Sequence, residues 1–266
     1  MKPSNESERI SRDTEDFFGH INERKTLKEY LQTTYHKDSS KYRRYKNVLD
    51  SIFPEHNGNV LELGAGVGDL SFFCKSLYPQ NNYTVSELSL NFLLRHAEET
   101  GQFFCVNPND IALKEFGAEI IPYPNGYFSV VMVKAAVHHF EDTDKSFREI
   151  HRVLKPNGVL VFIEDPICLN IPIYTSVIKH NFCKEERSMG INEHIYTRRD
   201  YLGFGYMFKK RTYTFDPVLV SEFHKNQANR KGLKKLLFSI IGSSTVLTHI
   251  YLIKKFTSCI LFEFTK

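Results

Sequence analysis

The chain has 266 residues, of which 41% are hydrophobic and 25% charged, which is ordinary for a globular protein and excludes wholesale disorder or collagen-like repeats. The net charge of +4 is too small to indicate a nucleic-acid partner. The five cysteines form no CxxC pair and the N-terminus shows no apolar stretch, so we expect a reduced cytoplasmic protein with no secretory signal and no bound metal.

The first part of the chain predicts a helical layer in front of the main domain. Residues 1–20 are polar and acidic, whereas residues 21–53 carry apolar and aromatic side chains at helical spacing. Pro54 and the polar stretch after it end this segment. We therefore expect residues 1–58 to form a tail and a helical lid.

From Asn59 onward, short apolar runs alternate with segments of helical periodicity. We predict strands at 60–63, 83–86, 103–106, 128–133 and 159–163, and helices at 70–77, 90–99 and 144–154. Such alternation is typical of an α/β protein with a parallel sheet covered by helices on both faces. Right-handed crossovers bring the carboxyl ends of the strands to one edge, where ligands bind.

The remaining elements are less regular. Pro156 and Gly158 are expected to shape the turn before the fifth strand, with Gly158 in the permissive conformation. After Asp165 we predict a strand within 206–215 and a final strand at 260–264, with mostly helical residues between them.

The strongest motif is the loop ELGAGVGD at residues 62–69. Gly64 and Gly66 permit a sharp turn and a close approach of the backbone to a ligand. A dinucleotide-binding loop would have its third glycine at the position of Asp69, but that glycine stands one residue earlier, at Gly68. The loop is therefore E-x-G-x-G-x-G, which disfavours an NAD-dependent oxidoreductase.

This loop and three further segments resemble the class I S-adenosylmethionine-dependent methyltransferases, in particular the small-molecule type related to ubiquinone/menaquinone C-methyltransferases. The further segments are AEIIPYPNGYFSVV at 118–131, VHHF at 137–140 and REIHRVLKPNG at 148–158. The resemblance covers roughly residues 59–166. It implies a Rossmann-like, seven-stranded, mostly parallel sheet with the last strand antiparallel, in a domain spanning 59–266 whose substrate-cap insertion lies within 167–256.

The resemblance also implies S-adenosyl-L-methionine as the cofactor. In the family the loop wraps the methionine part, the acidic residue of the first strand lies near the cofactor's amino group, and an acidic residue ending the second strand binds the ribose. A carboxylate suits the ribose because it accepts two hydrogen bonds from a diol, and it repels the extra phosphate of NADP. The residues expected to contact the cofactor are Glu62, Gly64, Ala65, Gly66, Gly68, Glu87, Leu88, Ala118, Glu119 and Lys134.

Two positions depart from the family pattern. Gly117 stands where an acidic residue usually reaches the adenine amino group, and Ser129 replaces the aspartate of F-D-V-V. Asp110, Glu119 or backbone groups near Ala118 are the alternatives for the adenine contact.

Residues after the fourth and fifth strands are candidates for chemistry on the acceptor. His138 or His139 could act as a general base toward a hydroxyl, since a histidine pKa lies near working pH, and the alternative is a packing role. Glu164, Asp165 and the polar and aromatic cluster at 192–196 are candidates for substrate contacts.

We therefore expect O- or C-methylation of a small molecule such as a sugar, a lipid-linked intermediate or a natural product. A catalytically inactive binding module is the alternative, and a nucleic-acid methyltransferase using the basic C-terminal third is disfavoured by the absence of an N/D-P-P-Y/W motif. Residues 236–253 carry no formal charge and approach the length of a membrane span, but their polar interior favours a cap. Peripheral membrane contact through 231–256 stays an alternative, and the oligomeric state is open.

Overall fold

The computed structural model describes residues 26–168, 192–215 and 260–266. The uncharged run at 236–253 and most of the expected cap insertion within 167–256 lie outside these residues. Within the described ranges no helix combines the length and the apolar character that crossing a membrane requires.

Two helices precede the sheet, α1 at Leu27–Tyr35 and α2 at Ser40–Ile52. Helix α1 begins at a capping box built on Thr26, and α2 begins where the Ser39 hydroxyl accepts a main-chain N–H. The segment predicted as helical at 21–53 is thus divided, because Ser39 must adopt an extended conformation to cap α2.

The strands are β1 Asn59–Leu63, β2 Asn82–Glu87, β3 Ile111–Glu115, β4 Phe128–Lys134, β5 Leu154–Ile163, β6 Ile167–Cys168, β7 Tyr196–Thr197, β8 Lys210–Phe215 and β9 Ile260–Thr265. Seven of them form a central sheet in the order β3-β2-β1-β4-β5-β9-β8. Neighbouring strands are parallel, except that β9 runs antiparallel to both β5 and β8. A separate parallel pair, β6 and β7, follows the end of β5. The predicted Rossmann-like fold class is confirmed.

Helices cover both faces of the sheet. Those that the structure describes after β1 are α3 Asp69–Leu77, α4 Leu90–Phe104, α5 Thr143–Val153 and α6 Arg198–Phe204. On one face Leu31 of α1 and Phe73 of α3 belong to a core cluster that includes Val130 of β4. On the other face Phe147 of α5 and Tyr201 of α6 join a second cluster. Helix α6, in a region that the sequence left irregular, precedes β8.

The predicted third strand at 103–106 is wrong. Helix α4 continues through Phe104, and the strand beside β2 is Ile111–Glu115. Phe104 packs against Tyr35 and Phe73, with ring centroids 5.0 and 5.8 Å apart, so its aromatic side chain completes the apolar face of a helix. The true strand lies at the edge of the sheet, where only its first residue is buried, and its hydrophobic pattern is correspondingly weak.

The turn before the long part of β5 also differs from expectation. The left-handed conformation is adopted by Asn157, with φ 63°, and not by Gly158. A Cβ at Gly158 would lie 2.9 Å from the carbonyl oxygen of Lys155 and 3.1 Å from that of Ser129. Glycine is therefore needed for close backbone packing, not for a positive φ.

Candidate active site

The glycine loop connects β1 to α3 at the carboxyl edge of the sheet. Gly64, Gly66 and Gly68 have φ values of 61°, 56° and 74°, in the left-handed region that favours glycine. A Cβ at Gly64 would lie only 2.8 Å from the Cβ of Ala136. The loop therefore passes tightly beside the segment that follows β4.

Glu87 ends β2 and directs its carboxylate toward this loop. Its Oε2 accepts the N–H of Gly66 at 2.7 Å and its Oε1 accepts the N–H of Leu88 at 2.8 Å. Burial raises the pKa of the Glu87 carboxyl above its ordinary value, although the two N–H groups oppose the shift. Each oxygen keeps a second acceptor position, so the carboxylate can still receive hydroxyl donors.

Glu62 of β1 lies fully buried behind the loop. Its Oε2 accepts the N–H of Ser71 in the first turn of α3 at 2.9 Å, and its Oε1 has no hydrogen-bond partner within the described ranges. Burial raises the pKa of the Glu62 carboxyl to about 7, against the opposing effect of the Lys134 charge. Near neutral pH this group is therefore poised between its charged and neutral forms.

Lys134 ends β4 and forms a buried ion pair with Asp69 at the start of α3. The hydroxyls of Tyr30 and Tyr35 from α1 donate to the same Asp69 oxygen, at 2.9 and 2.7 Å. Burial acts to raise the pKa of Asp69, but Lys134 and these hydroxyls hold it below its ordinary value. Lys134 was expected to line the cofactor cavity. Nothing in the sequence indicated that Asp69 would pair with Lys134; Asp69 stood out only because it occupies the third-glycine position of the dinucleotide-binding motif.

Glu164 directly follows β5 and forms ion pairs with helix α2. Its carboxylate lies 3.1 Å from Lys41 Nζ and 3.3 Å from Arg44 Nη1. Both N-terminal helices are thus fastened to the carboxyl edge of the sheet, α1 through Asp69 and α2 through Glu164. The expected substrate contact Glu164 is therefore already part of an ion-pair network.

The segment after β3 lies alongside the end of β2. A Cβ at Gly117 would approach Leu88 Cδ2 to 3.3 Å. Ala118 is buried, and the Glu119 Oε1 accepts the N–H of Glu141 at 3.0 Å. The structure thus brings Gly117, which directly precedes Ala118, next to Leu88, which is 47% exposed.

Two other positions named from the sequence lie at the opposite edge of the sheet. Asp110 immediately precedes β3, at its amino end. Ser129 is the second residue of β4, where its hydroxyl donates to the carbonyl of Asn57 at 2.8 Å and accepts from Lys155 at 3.1 Å. The replacement at Ser129 therefore affects that far edge and not the candidate site.

A short 3₁₀ turn after β4 places His138 and His139 side by side, with ring centroids 4.0 Å apart. His138 Nδ1 lies 2.8 Å from Asp165 Oδ1, and the same oxygen accepts the His138 main-chain N–H. His139 Nδ1 lies 3.0 Å from the carbonyl oxygen of Asn192. Burial, with a contribution from His138, lowers the pKa of His139 to about 4, so its imidazole is neutral at physiological pH.

Residues 192–195 return against this turn. The Asn192 amide donates to the carbonyl of His139 at 2.9 Å, and the N–H of His194 donates to that of His138 at 3.0 Å. These bonds hold Glu193, which is 3% exposed, beside both rings. Its Oε2 lies 3.9 Å from His138 Nε2 and its Oε1 lies 3.5 Å from His139 Nδ1. His139 and Asn192, which are 53 positions apart in the sequence, thus lie in one cluster.

Residues 61–162 match the family model described as "Methyltransferase domain". The sheet order and the glycine loop described above agree with this match, which supports a class I S-adenosylmethionine-dependent methyltransferase domain in this segment. The ubiquinone/menaquinone biosynthesis C-methyltransferase UbiE of Francisella tularensis is 32% identical over 111 residues, covering 41% of this chain and 44% of that relative. The corresponding enzyme of Blochmanniella floridana is 27% identical over 170 residues, covering 59% and 66%. The chain thus matches less than half the length of the first of these relatives.

Solved structures show the same fold. The YcgJ protein of Bacillus subtilis is 14% identical with a TM-score of 0.54, covering 85% of this chain and 98% of that chain. The geranyl diphosphate C-methyltransferase of Streptomyces coelicolor, solved with Mg²⁺, geranyl diphosphate and S-adenosyl-L-homocysteine, is 14% identical with a TM-score of 0.54, covering 85% and 79%. At such identity the similarity concerns the fold alone.

Proposed function

We propose that this protein transfers a methyl group from S-adenosyl-L-methionine to a small-molecule acceptor. The observation that carries the proposal is the meeting of the glycine loop with Glu87 at the carboxyl edge of the sheet. The Gly66 N–H is 2.7 Å from that carboxylate, and the three loop glycines have positive φ. The three glycines lack Cβ atoms and let a ligand approach the main chain closely. The acidic side chain beside them suits a ligand that carries both a diol and a cationic group.

The residues present fit the cofactor. Glu87 keeps acceptor positions for the two ribose hydroxyls, and the buried Glu62 Oε1 would accept a hydrogen bond from an ammonium group, whose charge would favour the ionised carboxylate. Leu88, Ala118 and Glu119 would flank the adenine, and the main chain of Gly64–Gly68, including Ala65, would hold the methionine part. Lys134 would act through Asp69, fixing the first turn of α3.

When bound, the cofactor supplies a methyl group on a positively charged sulfur, which is activated for in-line displacement. The chain brings acceptor and methyl group together, an effect that can contribute about 7–11 kcal/mol. His138, oriented by Asp165, or the neutral His139 would take the proton of a hydroxyl acceptor. C-methylation of an activated carbon, which the names of the curated relatives favour, would need no base at this position. Sugars, lipid-linked intermediates and natural products remain the acceptor classes to examine.

The first experiment is calorimetric titration with S-adenosyl-L-homocysteine. Gly66→Arg should abolish binding, because Gly66 has φ 56° and its N–H contacts Glu87. The matched control is Gly203→Arg, since a Cβ at Gly203 meets nothing within 4 Å. Wild type and the control should bind equally, and failure of the wild type to bind would contradict the proposal.

The second experiment measures release of S-adenosyl-L-homocysteine from S-adenosyl-L-methionine with panels of hydroxylated and quinone-type acceptors. Turnover with one class defines the acceptor. Cofactor binding without release across every acceptor would instead favour a binding module that has lost catalysis.

A further inference from the structure

We propose that His138, His139 and Glu193 form a binding site for one divalent transition-metal ion, with Zn²⁺ as its best-fitting representative. The three side chains offer ligand atoms that all lie within 4.8 Å of one another. This inference goes beyond methyl transfer, because the sulfonium cofactor is already activated without a metal, and it differs from the sequence-based expectation of a metal-free protein.

Of the two separations between Glu193 and the imidazoles, one lies within the range expected around a shared ion and the other lies slightly above it. Zn²⁺ bound tetrahedrally at about 2.0–2.2 Å places neighbouring ligand atoms roughly 3.3–3.6 Å apart. Glu193 Oε1 lies 3.5 Å from His139 Nδ1, and Glu193 Oε2 lies 3.9 Å from His138 Nε2. Both distances exceed the roughly 2.7–3.2 Å of a good N–H···O hydrogen bond, so a central ion suits these pairs better than direct contact.

The ring of His138 is already oriented as a metal ligand. Its Nδ1 lies 2.8 Å from Asp165 Oδ1, which leaves Nε2 facing Glu193. Asp165 is 3% exposed and is positioned by the His138 main-chain N–H, which donates to the same oxygen. A carboxylate behind a ligating histidine is the usual outer partner that fixes ring orientation and tautomer at a metal site.

The other two ligands are held in place by the backbone. His139 Nδ1 donates to the Asn192 carbonyl at 3.0 Å. Metal binding would move that proton to Nε2 and turn the Nδ1 lone pair to the ion. The hydrogen bonds of Asn192 and His194 to the histidine turn fix Glu193 beside it, so contacts between protein groups bring the three ligands together.

The donor set selects the class of metal. Two imidazoles and one carboxylate suit Zn²⁺, Fe²⁺, Co²⁺ or Ni²⁺, whereas Mg²⁺ and Ca²⁺ prefer oxygen-rich sites. Three protein ligands leave one position open. With the ion bound, neither histidine would serve as the general base described above. Because the cluster follows β4 at the carboxyl edge, an acceptor oxygen could occupy the open position and be activated by the ion instead, and this consequence alone rests on the proposed function.

The test uses the full chain, free of any affinity tag and stripped of metal. Equilibrium dialysis against Zn²⁺, read by elemental mass spectrometry, should give one ion per chain. Asp165→Asn, which changes the outer partner of His138, should weaken Zn²⁺ binding by about 10- to 100-fold. Glu193→Gln and His138→Ala, which remove a ligand, should each weaken Zn²⁺ binding by more than that. His36→Ala is the control for surface binding, because that imidazole is 67% exposed and lies outside the cluster, and it should bind as wild type does.

Wild type that retains no Zn²⁺, or Glu193→Gln that retains it undiminished, would overturn the proposal. If circular dichroism shows that a variant does not fold, the visible absorption spectrum of the wild-type Co²⁺ complex tests the proposal instead. An intense visible band from tetrahedral cobalt supports the site, and a weak octahedral spectrum contradicts it. Gly66→Arg should keep the Zn²⁺ site while losing S-adenosyl-L-homocysteine, so failure of this proposal is distinguishable from failure of the cofactor assignment.

Discussion

Replacing Lys134 with methionine tests whether its main role is to neutralise Asp69. The two side chains are only 10% and 2% exposed, and Lys134 is the cation that the described structure pairs with this carboxylate. Methionine keeps the length of the side chain and removes its charge. The variant therefore leaves a buried aspartate whose remaining side-chain donors, among the described residues, are the hydroxyls of Tyr30 and Tyr35.

The expected loss is large. Removing one partner of a buried ion pair costs about 3–5 kcal/mol, because the remaining charge is desolvated without compensation. The two tyrosine hydroxyls still donate to Asp69, so we expect the lower end of this range, about 3 kcal/mol. The double variant Lys134→Met/Asp69→Asn removes the stranded charge and should recover most of the stability.

The measurement is urea unfolding at pH 7, followed by circular dichroism. Lys46→Met is the matched control, because its pair with Asp50 is 40% and 46% exposed and should contribute no more than about 0.5 kcal/mol. Asp69 has a pKa below its ordinary value, so the pair stabilises at neutral pH and this contribution is lost as pH falls through the folded-state pKa. The difference in unfolding free energy between wild type and Lys134→Met should therefore become smaller at acidic pH. A loss at pH 7 as small as that of the control, or a double variant as unstable as the single one, would refute the reasoning.

Three further predictions concern the loop and the helices. Glu87→Ala should weaken S-adenosyl-L-homocysteine binding by about 1–3 kcal/mol in calorimetry, with Glu87→Gln intermediate, and equal affinity in all three proteins would remove Glu87 from the site. Glu62 has a folded-state pKa of about 7, above that of the unfolded chain, so wild-type stability should fall by up to about 3 kcal/mol as pH rises from 4 to 8. Glu62→Gln should lack that slope in unfolding titrations, and an unchanged slope would assign it to other groups. Gly101→Ala should lower the melting temperature although alanine favours helices, because its Cβ would lie 2.6 Å from the Val106 carbonyl oxygen. Gly203→Ala should raise the melting temperature, because a Cβ at Gly203 meets nothing within 4 Å.

Local patterns in the sequence were sufficient to predict the fold class and several strands of the central sheet. The alternation of apolar runs and helical periodicity predicted β1, β2, β4 and the final strand, and with them the fold class. The glycine spacing after β1 marked the loop, because turn chemistry depends on neighbouring residues. The same local reasoning failed at residues 103–106, where aromatic side chains that favour strands instead serve a helix packed against α1 and α3.

The candidate site depended on tertiary structure wherever its residues are distant in the chain. The pairing of Lys134 with Asp69 follows from the position of the start of α3 beside the end of β4, and the pairing of Glu164 with Arg44 follows from how α2 docks on the sheet edge. The approach of Glu193 to the two histidines follows from the return of residues 192–195 against the turn after β4. Sequence patterns encode which face of an element is apolar and where the backbone turns. The distance between two charged side chains is set by packing between elements, and only the folded chain decides it.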